Sequence, residues 1–261
     1  HEKELITLAS AVAKQRDGVV DAVHVITVPD QTSLSYAAEH VNRIEENHHS
    51  VLDAAERDAE TFGVDVETHT IISHRGMGEV FDAAEDHEAD LVVMGWSPDG
   101  GGRVEGAVEE IAGDLPCDFL VLKDRGFDPE RVLIPTAGGP DSELSVEVGK
   151  LLQREFGSEL TLLHVADDRD AGEAFLTEWA DSHDVDAELR VETGDAETAI
   201  EAAARESTLV VLGATERGLI SRFVSGSLVP AVVDDVDCSV LLAERKRDRT
   251  VIERLRGLLG R

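Results

Sequence analysis

Three pairs of matching segments indicate that the chain contains two copies of one folding plan. Each pair shares its pattern of apolar and polar residues, and the order of the segments is the same in both halves. The pairs are 19–30 with 159–170, 78–95 with 197–213, and 115–123 with 236–244. A repeat of about 120 residues restricts the fold to two related units of ordinary domain size, joined in tandem.

The boundary between the two copies lies in the stretch 124–131, "DRGFDPER", which carries the glycine and proline typical of a linker. The sequence therefore predicts a first domain over 1–126 and a second domain over 127–244. Residues 245–261 remain as a separate tail.

Each copy alternates short apolar runs with longer amphipathic stretches, which we interpret as strands and helices. In the second copy the predicted strands are 131–136, 159–165, 186–193, 208–213 and 238–244, and the predicted helices are 141–157, 170–182, 196–206 and 226–234. Continuous apolar strands between helices indicate a parallel sheet covered on both faces. Right-handed crossovers make such a sheet doubly wound. The predicted fold class is α/β, with two doubly wound parallel five-stranded sheets in tandem.

The first copy lacks its first strand. The chain opens on 1–15, which matches the first helix of the second copy, and no apolar run like "RVLIP" precedes it. A missing central strand leaves a slot lined by unpaired backbone groups. We therefore expect either that the chain is part of a longer polypeptide or that another segment fills the slot. The second helix of this copy, predicted over 34–63, is also longer than its counterpart.

The charge of the chain excludes one class of function. There are 24 basic and 55 acidic residues, a net charge of −31, and the acidic residues are spread over the helix-like segments. A nucleic-acid surface would be basic, so nucleic-acid binding is not expected. The composition is typical of a protein from a salt-rich cytoplasm, where screening weakens repulsion between carboxylates. An ordinary acidic protein is the alternative, and destabilisation at low salt distinguishes the two.

Several other classes of site receive no support from the residues. No apolar run approaches the length of about 18 residues that a membrane span needs. Cys117 and Cys238 are too few for a disulfide framework, and both precede apolar runs, so a structural role is expected. His48 and His49 share a polar helix face without further ligands at metal-binding spacing, and no metal site is predicted. Ser227 has no candidate base nearby in the sequence, so no catalytic residue is predicted either.

One loop of the second copy has the composition of an anion site. Gly213 ends a predicted strand at the edge of the sheet where doubly wound folds bind ligands. Gly226 and Ser227 open a predicted helix whose N–H groups suit a phosphate, and Arg217 adds positive charge. Glu216 opposes this interpretation, because a carboxylate about 4 Å from a phosphate costs roughly 4 kcal/mol at an effective dielectric constant of 20. The alternative is that the turn needs these glycines for itself.

The motifs together resemble those of tandem universal stress proteins. The resemblance rests on "VLIP" opening a copy, "LLHV" in the second strand, "ADLVVMG" and "STLVVLG" in the fourth, and a cysteine before the apolar fifth strand. The most specific motif of the family is Gly, two residues, Gly, nine residues and Gly-Ser or Gly-Thr, which wraps ATP. In the second copy Glu216 replaces the second glycine, while Gly226 and Ser227 keep the spacing.

The resemblance implies where an adenine nucleotide, ATP or AMP, would lie in the second copy. Thr136 stands where the family has an aspartate near the adenine, and the backbone of Val165 faces the adenine edge. The full set of implied contacts is Pro135, Thr136, Ala137, Val165, Gly213, Thr215, Arg217, Gly226, Ser227 and Leu228. In the first copy Pro98 and Ala107 replace motif residues and the spacing is short, so no nucleotide is expected there.

The tail, residues 245–261, is basic, whereas the rest of the chain is acidic. Residues 245–261 contain seven basic and two acidic residues, and their apolar side chains fall on one face of a predicted helix. Such a helix is suited to an anionic membrane surface or a partner. It is equally suited to packing against the acidic body of this chain.

The resemblance extends to the cytoplasmic C-terminal region of cationic amino acid transporters in salt-loving archaea. It implies a non-catalytic regulatory module at the inner face of the cell membrane, whose partner is the transporter portion of the same polypeptide. It also implies a homodimer. The fifth strands, 118–123 and 238–243, are natural edges for pairing, either between chains or between the two copies of one chain. The alternatives are a free-standing tandem stress protein that binds ATP and, less favoured, a nucleotide hydrolase.

Overall fold

The computed structural model describes residues 2–40, 48–75, 77–96, 115–213 and 235–246. The first half contains four helices and four strands within these ranges. They are α1 (Glu2–Gln15), β1 (Val20–Thr27), α2 (Leu34–Glu39), α3 (His48–Glu60), β2 (Val66–Ser73), α4 (Met77–Asp86), β3 (Leu91–Gly95) and β4 (Asp118–Lys123).

The second half repeats the alternation of strand and helix. Its described elements are β5 (Arg131–Pro135), α5 (Pro140–Phe156), β6 (Glu159–Val165), α6 (Arg169–Ser182), β7 (Glu188–Glu192), α7 (Ala196–Ala204), β8 (Leu209–Gly213) and β9 (Ser239–Glu244). The ends of α5 follow from its sequence. Pro140 stands in its first turn, where no backbone N–H is needed, and Gly157 closes it with a left-handed φ of 74°.

Seven of the strands form one sheet in the order β3-β4-β9-β8-β5-β6-β7. The five strands of the second half are parallel to one another, as predicted for a doubly wound unit. Their residues form a continuous apolar run because helices cover both faces of the sheet. Leu209, Val210 and Val211 in β8 are all 0% exposed.

The two halves do not form separate sheets, which differs from the predicted pair. The fifth strands, β4 and β9, pair antiparallel, with Val121 opposite Leu242. Each would otherwise be a long apolar edge, and pairing them satisfies both rows of backbone groups. The prediction that the two copies pair within one chain is confirmed.

In the described part of the chain, the strands of the first half are divided between two sheets. Strands β1 and β2 form a separate two-stranded parallel sheet, while β3 and β4 belong to the seven-stranded sheet. In the second half the equivalents of β3 and β1, which are β8 and β6, lie on either side of β5. Within the described residues no strand lies between β1 and β3, so the two sheets are separate there.

One hydrophobic core extends across both halves. It includes Leu8 of α1, Leu120 of β4, Leu152 of α5 and Leu241 of β9, each 0% exposed. Helices α1 and α5 contact each other, and Lys14 Nζ lies 2.5 Å from Glu155 Oε1. The two copies are thus held together by shared apolar packing as well as by strand pairing.

Some predicted elements differ from the structure or lie beyond it. In place of one helix over 34–63 there are two described helices, α2 and α3, on either side of residues 41–47, which are outside the described ranges. The predicted helix over 226–234 and the tail beyond Lys246 also lie outside them. In the part of the chain that the structure describes, no helix has the length and apolar character of a membrane span.

Candidate functional site

The carboxyl ends of three adjacent parallel strands bring half of the predicted nucleotide contacts together. Strands β8, β5 and β6 are neighbours in the sheet, and they end at Gly213, Pro135 and Val165. Thr136 and Ala137 directly follow β5. In open parallel sheets this edge is where ligands bind. The sequence thus placed these five residues at one edge, as the structure has them.

The other predicted contacts stay predictions. Thr215, Arg217, Gly226, Ser227 and Leu228 lie outside the described residues, and so does Glu216.

Thr136 is fixed by its own hydrogen bonds. It is 5% exposed, and its N–H donates to Leu163 O at 2.8 Å. Its hydroxyl accepts from Gly138 N–H at 3.3 Å, which forms a local turn. Gly138 and Gly139 both have φ of +85°, a conformation that favours glycine, and they lead the chain into α5. The threonine therefore shapes the loop from β5 to α5.

Gly213 is required by a close approach of the backbone. A Cβ atom at this position would lie 2.8 Å from the carbonyl carbon of Asp141 and 3.1 Å from the nitrogen of Ser142. Both neighbours are backbone atoms in the first turn of α5, which cannot shift as a flexible side chain can. Packing of β8 against α5 accounts for this glycine without a ligand, and this is a different reason from the need of the turn that the sequence suggested.

The described part of this edge is acidic. Asp141 is 4% exposed, and its Oδ1 accepts from the backbone N–H of Arg245 at 2.9 Å. Asp167 and Asp168 follow β6, and Asp168 caps α6 by accepting from Ala171 N–H at 2.8 Å. Carboxylates at this edge oppose phosphate groups, so a nucleotide would depend on arginines of the loop, such as Arg217.

His164 has a structural role beside this edge. Its Nδ1 lies 2.9 Å from Thr136 O, and its ring centroid lies 4.4 Å from that of Phe175. The ring therefore joins the end of β6 to the loop after β5 and packs on α6.

In the first half, side chains at the end of β2 make hydrogen bonds to α4 and to the end of β1. Ser73 Oγ donates to Glu79 Oε1 at 2.8 Å, and Arg75 Nε donates to the same oxygen at 2.9 Å. His74 Nδ1 lies 3.1 Å from Val28 O. These contacts link the ends of β1 and β2 to α4, and they involve no residue of the nucleotide motif.

The fold also brings together three residues that the sequence did not single out. Asp21, His69 and His87 place a ligand atom each within 4.8 Å of one another, at the amino-terminal end of β1. His87 Nδ1 lies 3.0 Å from Asp21 Oδ2, and His69 Nε2 lies 3.6 Å from Asp21 Oδ1. Imidazole and carboxylate groups are ligands that suit Zn²⁺. The direct bond between Asp21 and His87 also accounts for the group as a link between β1 and the end of α4.

Sequence reasoning missed this group because its members are far apart along the chain and follow no ligand motif. Only the parallel register of β1 and β2, which pairs Val23 with His69, places the second imidazole near Asp21. The histidines that the sequence did consider, His48 and His49, begin α3, and their side chains are outside the described part.

Both cysteines lie in environments that suit a structural role. Both are free, and Cys117 is 3% exposed. Burial raises the pKa of the Cys117 thiol to about 11, and burial raises the pKa of Cys238 as well. Both side chains are therefore neutral thiols at physiological pH, the less nucleophilic form.

These features define a class of protein: a pair of α/β units, one of them doubly wound, whose fifth strands are joined. A family model described as the universal stress protein family matches residues 1–123 and 177–244. These segments make up more than half of the chain, which belongs to the universal stress protein family.

Solved structures share this fold at low sequence identity. A universal stress protein from Archaeoglobus fulgidus is 19% identical, with a TM-score of 0.64 over 95% of this chain and 93% of that one. The cytoplasmic domain of a prokaryotic cation chloride cotransporter is 11% identical, with a TM-score of 0.55 over 86% and 95%. A protein of unknown function from Pseudomonas aeruginosa is 13% identical, with a TM-score of 0.53 over 95% and 99%. No curated protein matches the sequence.

Proposed function

We propose that this chain is a non-catalytic regulatory module of a membrane amino acid transporter and that its second half senses an adenine nucleotide, ATP or AMP. The observation that carries the sensing role is the edge formed by the ends of β8, β5 and β6. Pro135, Thr136, Val165 and Gly213 meet there. This is the binding edge of doubly wound sheets.

The similarity to a cotransporter's cytoplasmic domain supports the association with a transporter. The sequence alone supports the finer parts of this proposal, which are an amino acid as the transported solute, a salt-loving organism and a position at the inner face of the membrane. A homodimer is also part of the proposal. Since β4 and β9 pair with each other inside the chain, the dimer would use a different surface.

Calorimetry tests the sensing role. We expect ATP or AMP to bind the whole chain in molar KCl with a dissociation constant on the order of 10 µM, about −7 kcal/mol. Gly226→Val should abolish the heat, because its side chain would fill the space in which the motif holds phosphate. Gly106→Val changes the equivalent glycine of the first half and is the matched control. If no nucleotide gave a heat of binding, or if both variants lost that heat equally, nucleotide sensing in the second half would be contradicted.

Cell fractionation tests the association with a transporter. An antibody against this chain should detect a membrane-bound polypeptide much larger than the 28.2 kDa of these residues. A band of about that mass in the cytosolic fraction would instead favour the free-standing stress protein. One observation supports this second candidate. The chain is similar to the Archaeoglobus fulgidus protein over nearly the whole of both chains.

A further inference from the structure

Three side chains from three different elements of the first half meet at one place. Asp21 lies on β1, His69 lies on β2, and His87 lies in the turn that follows α4. Each offers one ligand atom, and these atoms all lie within 4.8 Å of one another. Two imidazoles and a carboxylate form a donor set that suits Zn²⁺ and related transition metals, whereas Mg²⁺ and Ca²⁺ prefer oxygen ligands alone.

The separations between the ligand atoms fit one small cation. His87 Nδ1 lies 3.0 Å from Asp21 Oδ2, and His69 Nε2 lies 3.6 Å from Asp21 Oδ1. Around a tetrahedral Zn²⁺ with bonds of about 2.0–2.1 Å, neighbouring ligand atoms lie about 3.3 Å apart. The two observed distances lie on either side of that value, so small rotations of the side chains would bring all three groups onto one ion.

The Nε2 atom of His69 gives an independent reason to expect a ligand. The side chain as a whole is 36% exposed, but this nitrogen is buried, and no residue in the described part of the chain forms a hydrogen bond with it. A buried polar atom without a partner costs free energy and is rare in native structures. The bond between Asp21 and His87 leaves this nitrogen unsatisfied, whereas a metal ion bound by all three residues would satisfy it.

The carboxylates at this place lack positively charged partners. Glu67 Oε2 lies 3.8 Å from His69 Nε2, and the Glu67 side chain is 71% exposed. Among the described residues, neither Asp21 nor Glu67 forms an ion pair with a lysine or an arginine. A divalent cation would balance the charge of the two carboxylates. Glu67 or a water molecule could take the fourth position of a tetrahedral ion.

The second half has a cation at the equivalent position. Arg190 of β7 stands where His69 stands in β2, because each lies opposite the residue before the histidine that β1 and β6 share. Arg190 Nη1 lies 3.1 Å from Glu206 Oε2, in the turn after α7. The guanidinium therefore links a strand to the turn after a helix. A metal ion would supply the positive charge that links the same two elements in the first half.

We propose that Asp21, His69 and His87 form a zinc site that links β1, β2 and the end of α4. The bound ion holds these elements together as the ion pairs of Arg190 hold theirs in the second half. The site belongs to the first half and the predicted nucleotide contacts belong to the second, so the zinc experiment and the nucleotide experiment can fail independently.

Zinc binding to the whole chain, freed of metal with EDTA and kept in molar potassium nitrate, tests the proposal. Competition with a chromogenic chelator should show one zinc ion per chain, with a dissociation constant of about 1 µM or less. His69→Arg introduces the arginine of the second half, so this variant should stay folded but bind zinc about a hundredfold more weakly or worse. His40→Arg is the matched control, because it makes the same change at the end of α2, and it should bind zinc as the wild type does.

Three results of this titration would overturn the proposal. They are no binding at micromolar zinc, an unchanged affinity in His69→Arg, and an equal loss of affinity in His40→Arg. Half an ion per chain would also overturn it, because the site would then lie between two chains.

Cobalt identifies the ligands and excludes binding by the acidic surface. Co²⁺ in place of zinc should give the strong visible absorption of a tetrahedral site, and His87→Ala should abolish this absorption. Millimolar Mg²⁺ or Ca²⁺ should not displace the cobalt, because these ions prefer oxygen ligands. Displacement by either ion, or an unchanged spectrum in His87→Ala, would mean that carboxylates alone bind the metal and would overturn the proposal.

Discussion

At the scale of single residues, the candidate site shows that a residue of a binding motif can be required by the packing of the fold as well as by a ligand. Gly213 belongs to a nucleotide motif by its position in the sequence, yet its identity follows from the 2.8 Å that a Cβ would leave to the backbone of Asp141. Thr136 replaces the aspartate of the family and serves the turn before α5. The stability of a variant at a motif residue therefore has to be measured before its effect on ligand binding is interpreted.

Gly213→Ala should destabilise the protein by about 1–3 kcal/mol, because the added methyl group forces the first turn of α5 away from β8. Denaturant unfolding in molar KCl would measure the change. Gly18→Ala is the matched control, since the nearest atom to its Cβ position is 3.8 Å away, and it should change stability by less than about 0.5 kcal/mol. Equal stability of the two variants would remove the packing explanation for Gly213.

Glu79 should make stability depend on pH. The hydrogen bond from Ser73, and then that from Arg75, lowers the pKa of Glu79 below its ordinary value of 4.5. The unfolded chain therefore takes up a proton at a higher pH than the folded chain does. The stabilisation is complete above the ordinary pKa and is lost as the pH falls through the lowered one.

Glu79→Gln should accordingly lose less stability than the wild type between about pH 6 and about pH 3. Denaturation midpoints across this range in molar KCl are the measurement. Glu85→Gln is the matched control, because it removes an exposed carboxylate from the same helix. If the two variants follow the same pH profile, the hydrogen bonds to Glu79 do not lower its pKa enough to matter.

At the scale of elements, the sequence predicted most of the described strands and helices to within a few residues. Helices α5 and α6 and strands β6 and β8 have clear periodicity and clear ends, so local signals were sufficient. The interruption of the predicted helix 34–63 was missed, since its amphipathic pattern continues through 41–47. The antiparallel pairing of β4 with β9 depends on contacts between residues far apart in the sequence. From the sequence, pairing within one chain was one of two possibilities and its direction was not predicted.

The end of β9 is tied to two other elements by Arg245. Its guanidinium lies 3.1 Å from Asp118 Oδ2 at the start of β4 and 2.6 Å from Glu147 Oε1 of α5. Lys246 N–H also donates to Asp118 Oδ1. The first two residues of the basic tail therefore bind the acidic body of the chain.

Arg245→Ala should destabilise the protein by about 1–2 kcal/mol, because two charge-assisted contacts are lost, one of them to a half-exposed carboxylate. Thermal unfolding at several salt concentrations is the measurement, and the loss should shrink as salt increases. Arg154→Ala, which removes an exposed guanidinium from the last turn of α5, is the matched control. A loss no greater than that of the control would mean that the strand pairing alone holds β9.

At the scale of the whole molecule, the net charge of −31 is spread over a structure with one shared core. Repulsion among the carboxylates opposes the compact state, and it decreases as the Debye length falls from about 10 Å at 0.1 M salt to about 3 Å at 1 M. Stability should therefore depend strongly on ionic strength.

We expect the melting temperature to rise by about 10 °C or more between 0.1 M and 2 M KCl, which corresponds to several kcal/mol for a protein of this size. Scanning calorimetry is the measurement. Sucrose at matched osmolarity is the control, because it acts by exclusion from the surface without screening charge. An equal rise in sucrose, or no rise in KCl, would contradict an adaptation to high salt.

The sequence by itself determined the duplication and the α/β class. Both follow from the periodicity of apolar residues and from the similarity between the two halves, which can be read directly from the sequence. The tertiary structure alone decided that β4 and β9 join the halves, that Gly213 packs against α5, and that Asp21 meets His69 and His87. Each of these depends on which residues meet across the fold, and distances along the sequence do not specify that.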